Sequence, residues 1–209
     1  MPEVFQPMPT PHPQPLLLVD VQHGFINDFT RHIPERVARL VERDRERKQY
    51  DPILATRFIN IDGGPFRRFL DWHGSAVPPE TDLVPEISSY VDEARIFSKP
   101  GSAGMSPELV IWLQEHAVER VTLAGIDTDM CVLKIALDIF DLGIEPIILV
   151  DCCASTAGLQ SHLAGLAVLA RNIGADKLHD AGLGGGRLAA PLAHPVHTTI
   201  AHDEAEPAT

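Results

Sequence analysis

The chain has 209 residues, 44% of them hydrophobic and 22% charged, with 17 Lys and Arg against 29 Asp and Glu and a formal net charge of −12. Such an acidic balance excludes a protein that tracks nucleic-acid phosphates or binds anionic membranes. The size is that of one domain, able to bury roughly 70% of its unfolded surface without disulfides.

Six of the 18 prolines lie within the first fifteen residues, so residues 1–14 read as a Pro-rich flexible arm outside the fold. Met1-Pro2-Glu3-Val4 has neither the basic start nor the apolar core of a signal peptide, and no apolar run approaches the ~20 residues of a membrane span. A cytoplasmic location is expected. Short apolar runs then alternate with amphipathic segments, the pattern of a parallel sheet covered by helices. Strand 16–20 leads to a charged helix over 34–48, opened by Pro34, and then to strand 52–57. A long connection over 58–89 holds Gly63-Gly64-Pro65 and a short helix near 66–72. Connections of that length in compact domains commonly carry function. Strand 95–98, helix 106–116, strand 121–125, helix 129–142, strand 145–150, helix 158–172 and a last strand near Lys177 complete a domain over 15–180. Residues 181–209 begin with a Gly-rich stretch, lack hydrophobic periodicity and read as a flexible C-terminal tail. The fold class expected is a three-layer α/β/α doubly wound, mainly parallel sheet of order 3-2-1-4-5, with a possible sixth strand. Its ligand crevice opens at the carboxyl ends of strands 1 and 4, where the winding reverses.

Three reactive side chains fall at carboxyl strand ends. Asp20 closes strand 1; Lys99 closes strand 3 in Phe97-Ser98-Lys99-Pro100-Gly101-Ser102; Cys131 follows strand 4 in Gly125-Ile126-Asp127-Thr128-Asp129-Met130-Cys131-Val132. Taken singly, each has a simpler reading: a turn cap, a solvated charge, a buried inert thiol. Together they predict one site. In a first helical turn, unpaired N–H groups and the helix dipole favour thiolate at Cys131, and the Lys99 ammonium is expected to lower the thiol pKa from its ordinary ~8.5. No Gly-x-Gly-x-x-Gly follows strand 1, so no dinucleotide site is expected there. With Cys152 and Cys153 the cysteine count is three, and the adjacent pair suits burial as free thiols at the end of strand 5 rather than disulfide formation.

Asp20-Val-Gln-His-Gly-Phe25, Lys99 with Ser102-Ala103, and Gly125-Ile-Asp-Thr-Asp-Met-Cys131-Val132 resemble, in order and spacing, the three signature segments of the isochorismatase-like cysteine hydrolases. The segments from Gly143 through Asp151-Cys-Cys-Ala-Ser155 and around His162 resemble the family's closing segments, so the likeness spans about residues 15–178. The family includes nicotinamidases, carbamoylsarcosine-type amidohydrolases and isochorismatases that usually lack the cysteine; the presence of Cys131 favours the amide-hydrolysing branch. The resemblance implies Cys131 as nucleophile, Asp20 as proton-transfer partner and Lys99 as the cation stabilising the reacting charges. It further implies a cis peptide at Ile126–Asp127, an oxyanion hole formed by the N–H groups of Asp127 and Cys131, and association into a homo-oligomer.

The departures bear on the substrate. Nicotinamidase-like members carry a metal-binding Asp-x-His and a further histidine after strand 2, where this chain reads Thr56-Arg57-Phe58-Ile59-Asn60; no metal and no cofactor are expected. Asp71-Trp72-His73 lies too far along the connection to replace that set, and His194, His197 and His202 fall in the tail. Phe25, Phe58, Trp72 and Met105 are candidate pocket-lining residues, and Arg57 is a candidate for a substrate carboxylate or for a structural ion pair. The leading expectation is hydrolysis of a small amide, ureide or carbamoyl compound. The alternatives are a vinyl-ether type hydrolase on the same fold and a catalytically silent scaffold.

Overall fold

The computed structural model describes residues 13–183, so most of the expected N-terminal arm and C-terminal tail lies outside the described residues. Six strands form one sheet in the order β3-β2-β1-β4-β5-β6, with every neighbouring pair parallel. They are β1 (Leu16–Val19), β2 (Ile53–Ile59), β3 (Ile96–Pro100), β4 (Arg120–Ile126), β5 (Glu145–Ala154) and β6 (Leu178–His179). Because successive side chains of a strand point to opposite faces, Leu16 and Leu18 of the fully buried β1 serve one core and Leu17 and Val19 the other.

The first core is closed by α1 (Ile33–Arg47), through Val37, Leu40 and Val41, and by Ile87 of the short α3 (Pro85–Ser88). The second is closed by α4 (Pro107–Glu115), α5 (Leu133–Asp141) and α6 (Leu159–Ile173), through Leu109, Leu113, Ile135, Ile139, Leu166 and Leu169. Local chemistry sets the helix ends. Pro34 opens α1, and the left-handed Lys48 stops it while the Asp44 carboxylate accepts the following N–H groups of Gln49 and Tyr50. Ser106 caps α4 by accepting the Leu109 N–H at 3.3 Å. Among the described residues no helix is long and apolar enough to cross a membrane.

Two expectations are corrected. The strand expected over 145–150 runs on to Ala154, because the β4–β5 pairing skips from Leu123 opposite Ile148 to Gly125 opposite Cys153, and the slack is taken up within β5. Cys152 and Cys153 are therefore interior to that strand. Burial raises both thiols far above the ordinary range, Cys153 to about 12. The helix expected over 129–142 is broken at its start: Thr128–Val132 is a π-helical turn, and α-helix begins only at Leu133. Past Asp180, Asp151 still holds the chain by accepting the Ala181 N–H at 2.7 Å.

Candidate active site

The site is assembled at the carboxyl ends of β1, β2, β3 and β4. Asp20 follows β1 with a left-handed backbone (φ 49°), a conformation that aspartate tolerates better than most residues, and is fully buried. Its Oδ1 accepts the Thr56 hydroxyl at 2.6 Å, and its Oδ2 accepts from Lys99 Nζ at 2.7 Å. Lys99 is equally buried; it also donates to the Ala103 carbonyl at 3.3 Å and stands 5.9 Å from the centre of the Phe58 ring, its register partner on β2. An ion pair without water persists only when its remaining polar atoms are satisfied. Here Thr56 and Ala103 supply those contacts. Burial opposes the charge on Lys99, but Asp20 and the Cys131 sulfur outweigh it and raise its pKa.

Cys131 enters from the π turn. The Asp127 carbonyl accepts N–H groups from both Met130, at 3.1 Å, and Val132, at 3.0 Å; the latter is the five-residue span that defines the turn. The turn is clamped from behind by α6. His162 Nδ1 lies 2.7 Å from Thr128 Oγ1, and Gly165 packs so closely that a Cβ there would stand 2.8 Å from Asp129 Cα. Burial lowers the His162 pKa, which keeps the ring neutral at physiological pH. A second close approach joins the sheet: Gly125, at φ +137°, has no room for a Cβ, which would fall 2.1 Å from the Val19 carbonyl oxygen. The peptide bond from Ile126 to Asp127 is cis.

The thiol behaves differently from the sequence-based expectation. Burial and the Asp20 carboxylate push the Cys131 pKa well above its ordinary value, and the opposing pull of Lys99 does not compensate. Burial thus makes this thiol harder to ionise than a free cysteine. Asp127 is also shifted, to about 6: burial raises it, hydrogen bonds from Thr156 lower it, and the carboxylates of Asp129 and Asp20 raise it further. Thr156 donates its N–H to Asp127 Oδ1 at 2.5 Å and its hydroxyl to Oδ2 at 2.8 Å.

Cys131 and Asp127 open onto a cavity of about 450 Å³ whose walls include Phe25, Phe58, Phe66 of α2 (Pro65–Leu70) and Trp72. These rings pack on one another: Phe25 and Phe58 are both stacked against Trp72 and tilted against each other, at about 6 Å between centres. Phe25, Phe58 and Trp72 all line this cavity. Arg57 does not: it points away to Glu93, 3.0 Å distant, and takes the structural ion-pair reading. Met105 is also outside the lining; it packs on the core beneath α5, and its N–H is held by Asp138. His73 is exposed and lies 3.0 Å from Asp71, and among the described residues no three His, Cys, Asp or Glu side chains converge in a way that could hold a metal ion.

Several positioning residues were not singled out in the sequence. Gln22 lies two residues past Asp20 and grips β2 by accepting the Phe58 N–H at 2.7 Å and donating to the Phe58 carbonyl at 2.9 Å. Thr56 is an ordinary strand residue until its neighbour Asp20 is known. Asn60 donates to the carbonyls of Trp72, at 2.7 Å, and Gly74, at 3.0 Å, fixing the aromatic wall.

The family described as Isochorismatase domain matches residues 14–176. A nicotinamidase/pyrazinamidase of Mycobacterium tuberculosis is 28% identical over 162 residues, covering 68% of this chain and 87% of that protein. Rat isochorismatase domain-containing protein 2 is 37% identical over 89 residues, 42% of this chain and 39% of its own. Among solved structures, an isochorismatase-like hydrolase from Alkaliphilus metalliredigens superposes with a TM-score of 0.69 at 21% identity, covering 81% of this chain and 95% of that one. N-carbamoylsarcosine amidase from Thermoplasma acidophilum superposes with a TM-score of 0.66 at 18% identity, covering 83% and 99%. At those identities the superpositions speak for the fold alone. The family match extends over most of the sequence and contains Asp20, Lys99 and Cys131, and on that ground the chain belongs to the isochorismatase family.

Proposed function

We propose that this protein is a cysteine-dependent hydrolase of a carbon–nitrogen bond in a small amide, ureide or carbamoyl compound. The observation that supports the reading most directly is the Cys131 thiol at the wall of a cavity, with the buried Asp20–Lys99 pair acting on it. A protonated thiol is a weak nucleophile, and Asp20 is the base at hand.

In the first half-reaction the Cys131 sulfur attacks the carbonyl carbon while its proton passes to Asp20. The carbonyl π electrons move to oxygen, and the N–H groups of Asp127 and Cys131 receive that oxyanion. Collapse breaks the C–N bond, Asp20 returns the proton to the departing nitrogen, and a thioester remains on Cys131. In the second half a water attacks the thioester as Asp20 takes its proton. Collapse breaks the C–S bond, the sulfur regains the proton, and the carboxylic acid product leaves. Lys99 stays charged throughout and offsets the charge that alternates between Asp20 and the reacting atoms. No step draws on a metal ion.

Ammonia or amine release from a panel of small primary amides, ureides and carbamoyl compounds tests the reading. Turnover that falls at least ~10³-fold in Cys131→Ala is the expected outcome. Undiminished turnover in that variant would rule the reading out.

A further inference from the structure

The cavity's charge is unusual for its setting. Its walls carry four aromatic rings, Phe25, Phe58, Phe66 and Trp72, and among the described residues no lysine or arginine lines it. Beneath it Asp20 and Lys99 cancel one another, and Cys131 rests as a neutral thiol. Among the described residues the one carboxylic residue in the lining is Asp127, which is 7% exposed. Thr156 fixes its orientation through neutral N–H and hydroxyl donors, which leave its charge in place and one lone pair free on each oxygen. Asp129 beside it adds a further negative potential, with one buried carboxylate oxygen unpartnered among the described residues.

A ring of aromatic faces with a fixed carboxylate is the chemistry that recognises a compact organic cation: the ring quadrupoles attract it, and the carboxylate meets its charge in a site where water screens poorly. An anionic substrate meets the opposite field. Resting on the amidohydrolase reading, we propose that the substrate is a small amide bearing a compact ammonium group, and that Asp127 is the residue that selects it. A cavity of about 450 Å³ is ample for a trimethylammonium group joined by a short linker to an amide. Asp127 and Cys131 line the same cavity, so one small substrate can meet both.

Two isosteric amides test this. Betaine amide and 3,3-dimethylbutanamide share shape and amide and differ only in the charge on the quaternary centre; succinamate supplies the anionic case. Binding is followed by quenching of Trp72 fluorescence in Cys131→Ala protein that also carries Trp112→Phe, and turnover by ammonia release from the wild type. Betaine amide is expected to bind at least about tenfold more tightly than its neutral isostere, with succinamate weakest, and kcat/KM is expected to follow the same order. In Asp127→Asn the cationic-to-neutral ratio falls to near one, whatever the variant's absolute turnover. The wild-type comparison needs no variant, so a poorly folding Asp127→Asn protein leaves the test intact. Equal handling of the isosteric pair, or preference for succinamate, overturns the proposal while any hydrolysis observed keeps the amidohydrolase reading. Charge-selective binding without hydrolysis of any amide does the reverse.

Discussion

Lys99 and Asp20 are both completely shielded from solvent, and removing either leaves the other as an uncompensated charge in the interior. Lys99→Ala is therefore expected to destabilise the protein by about 3–5 kcal/mol, read from urea unfolding. Replacing both partners, as Asp20→Leu with Lys99→Met, is expected to recover most of that loss with activity still abolished. A single variant as stable as the parent would mean that water reaches the pair. Asp127 gives a second, oppositely signed test. Its folded-state pKa of about 6 lies above its ordinary 3.8, so between those values the folded chain holds a proton that the unfolded chain releases. The contribution of this group to stability is greatest below pH 4, falls as the pH rises to 6 and stays low above it. Asp127→Asn removes this dependence, and the stability difference between variant and parent is expected to shift in the variant's favour by roughly 2–3 kcal/mol from pH 4 to pH 7. A difference that stays flat with pH would place the proton elsewhere.

At the scale of elements, the sheet order and the three reactive strand ends were legible because each rests on a robust signal: apolar runs for buried parallel strands, and chain order for the winding. The π turn was not legible. Asp129 to Leu142 carries ordinary helical periodicity, and one extra residue in the first turn leaves the spacing of Ile135, Ala136 and Ile139 undisturbed. The reversed thiol shift follows from the same blindness, since a helix-dipole argument knows the turn but not how deeply the sulfur is buried. The clamp on that turn is open to experiment. Gly165→Ala drives a methyl group against the backbone of Asp129, which must yield or displace α6. Stability is expected to fall by about 1–3 kcal/mol, with kcat falling at least tenfold and KM changing little, because the displaced turn carries Cys131, the proposed nucleophile. Gly165→Ala with unaltered kcat would show the turn to be free of α6.

Across the whole molecule, a rigid sheet buried on both faces presents Asp20, Lys99 and Cys131, while the opposite wall of the cavity comes from the connection between β2 and β3. That wall has little core of its own: Phe69 and Leu70 are exposed, and Trp72 is held in place by its ring contacts and by the Asn60 side chain beneath its carbonyl. The sequence located the connection by its length but could not indicate Asn60, whose role depends on where a residue twelve positions later returns. The architecture therefore separates chemistry from enclosure. Asn60→Ala deletes two hydrogen bonds to the carbonyls of Trp72 and Gly74, a loss of about 1–3 kcal/mol that falls on the connection rather than the sheet. Amide exchange is expected to quicken across residues 61–75 with the strands unchanged, and KM is expected to rise several-fold while kcat changes less. Faster exchange in β1 and β4 as well would mean that wall and sheet open as a single cooperative unit.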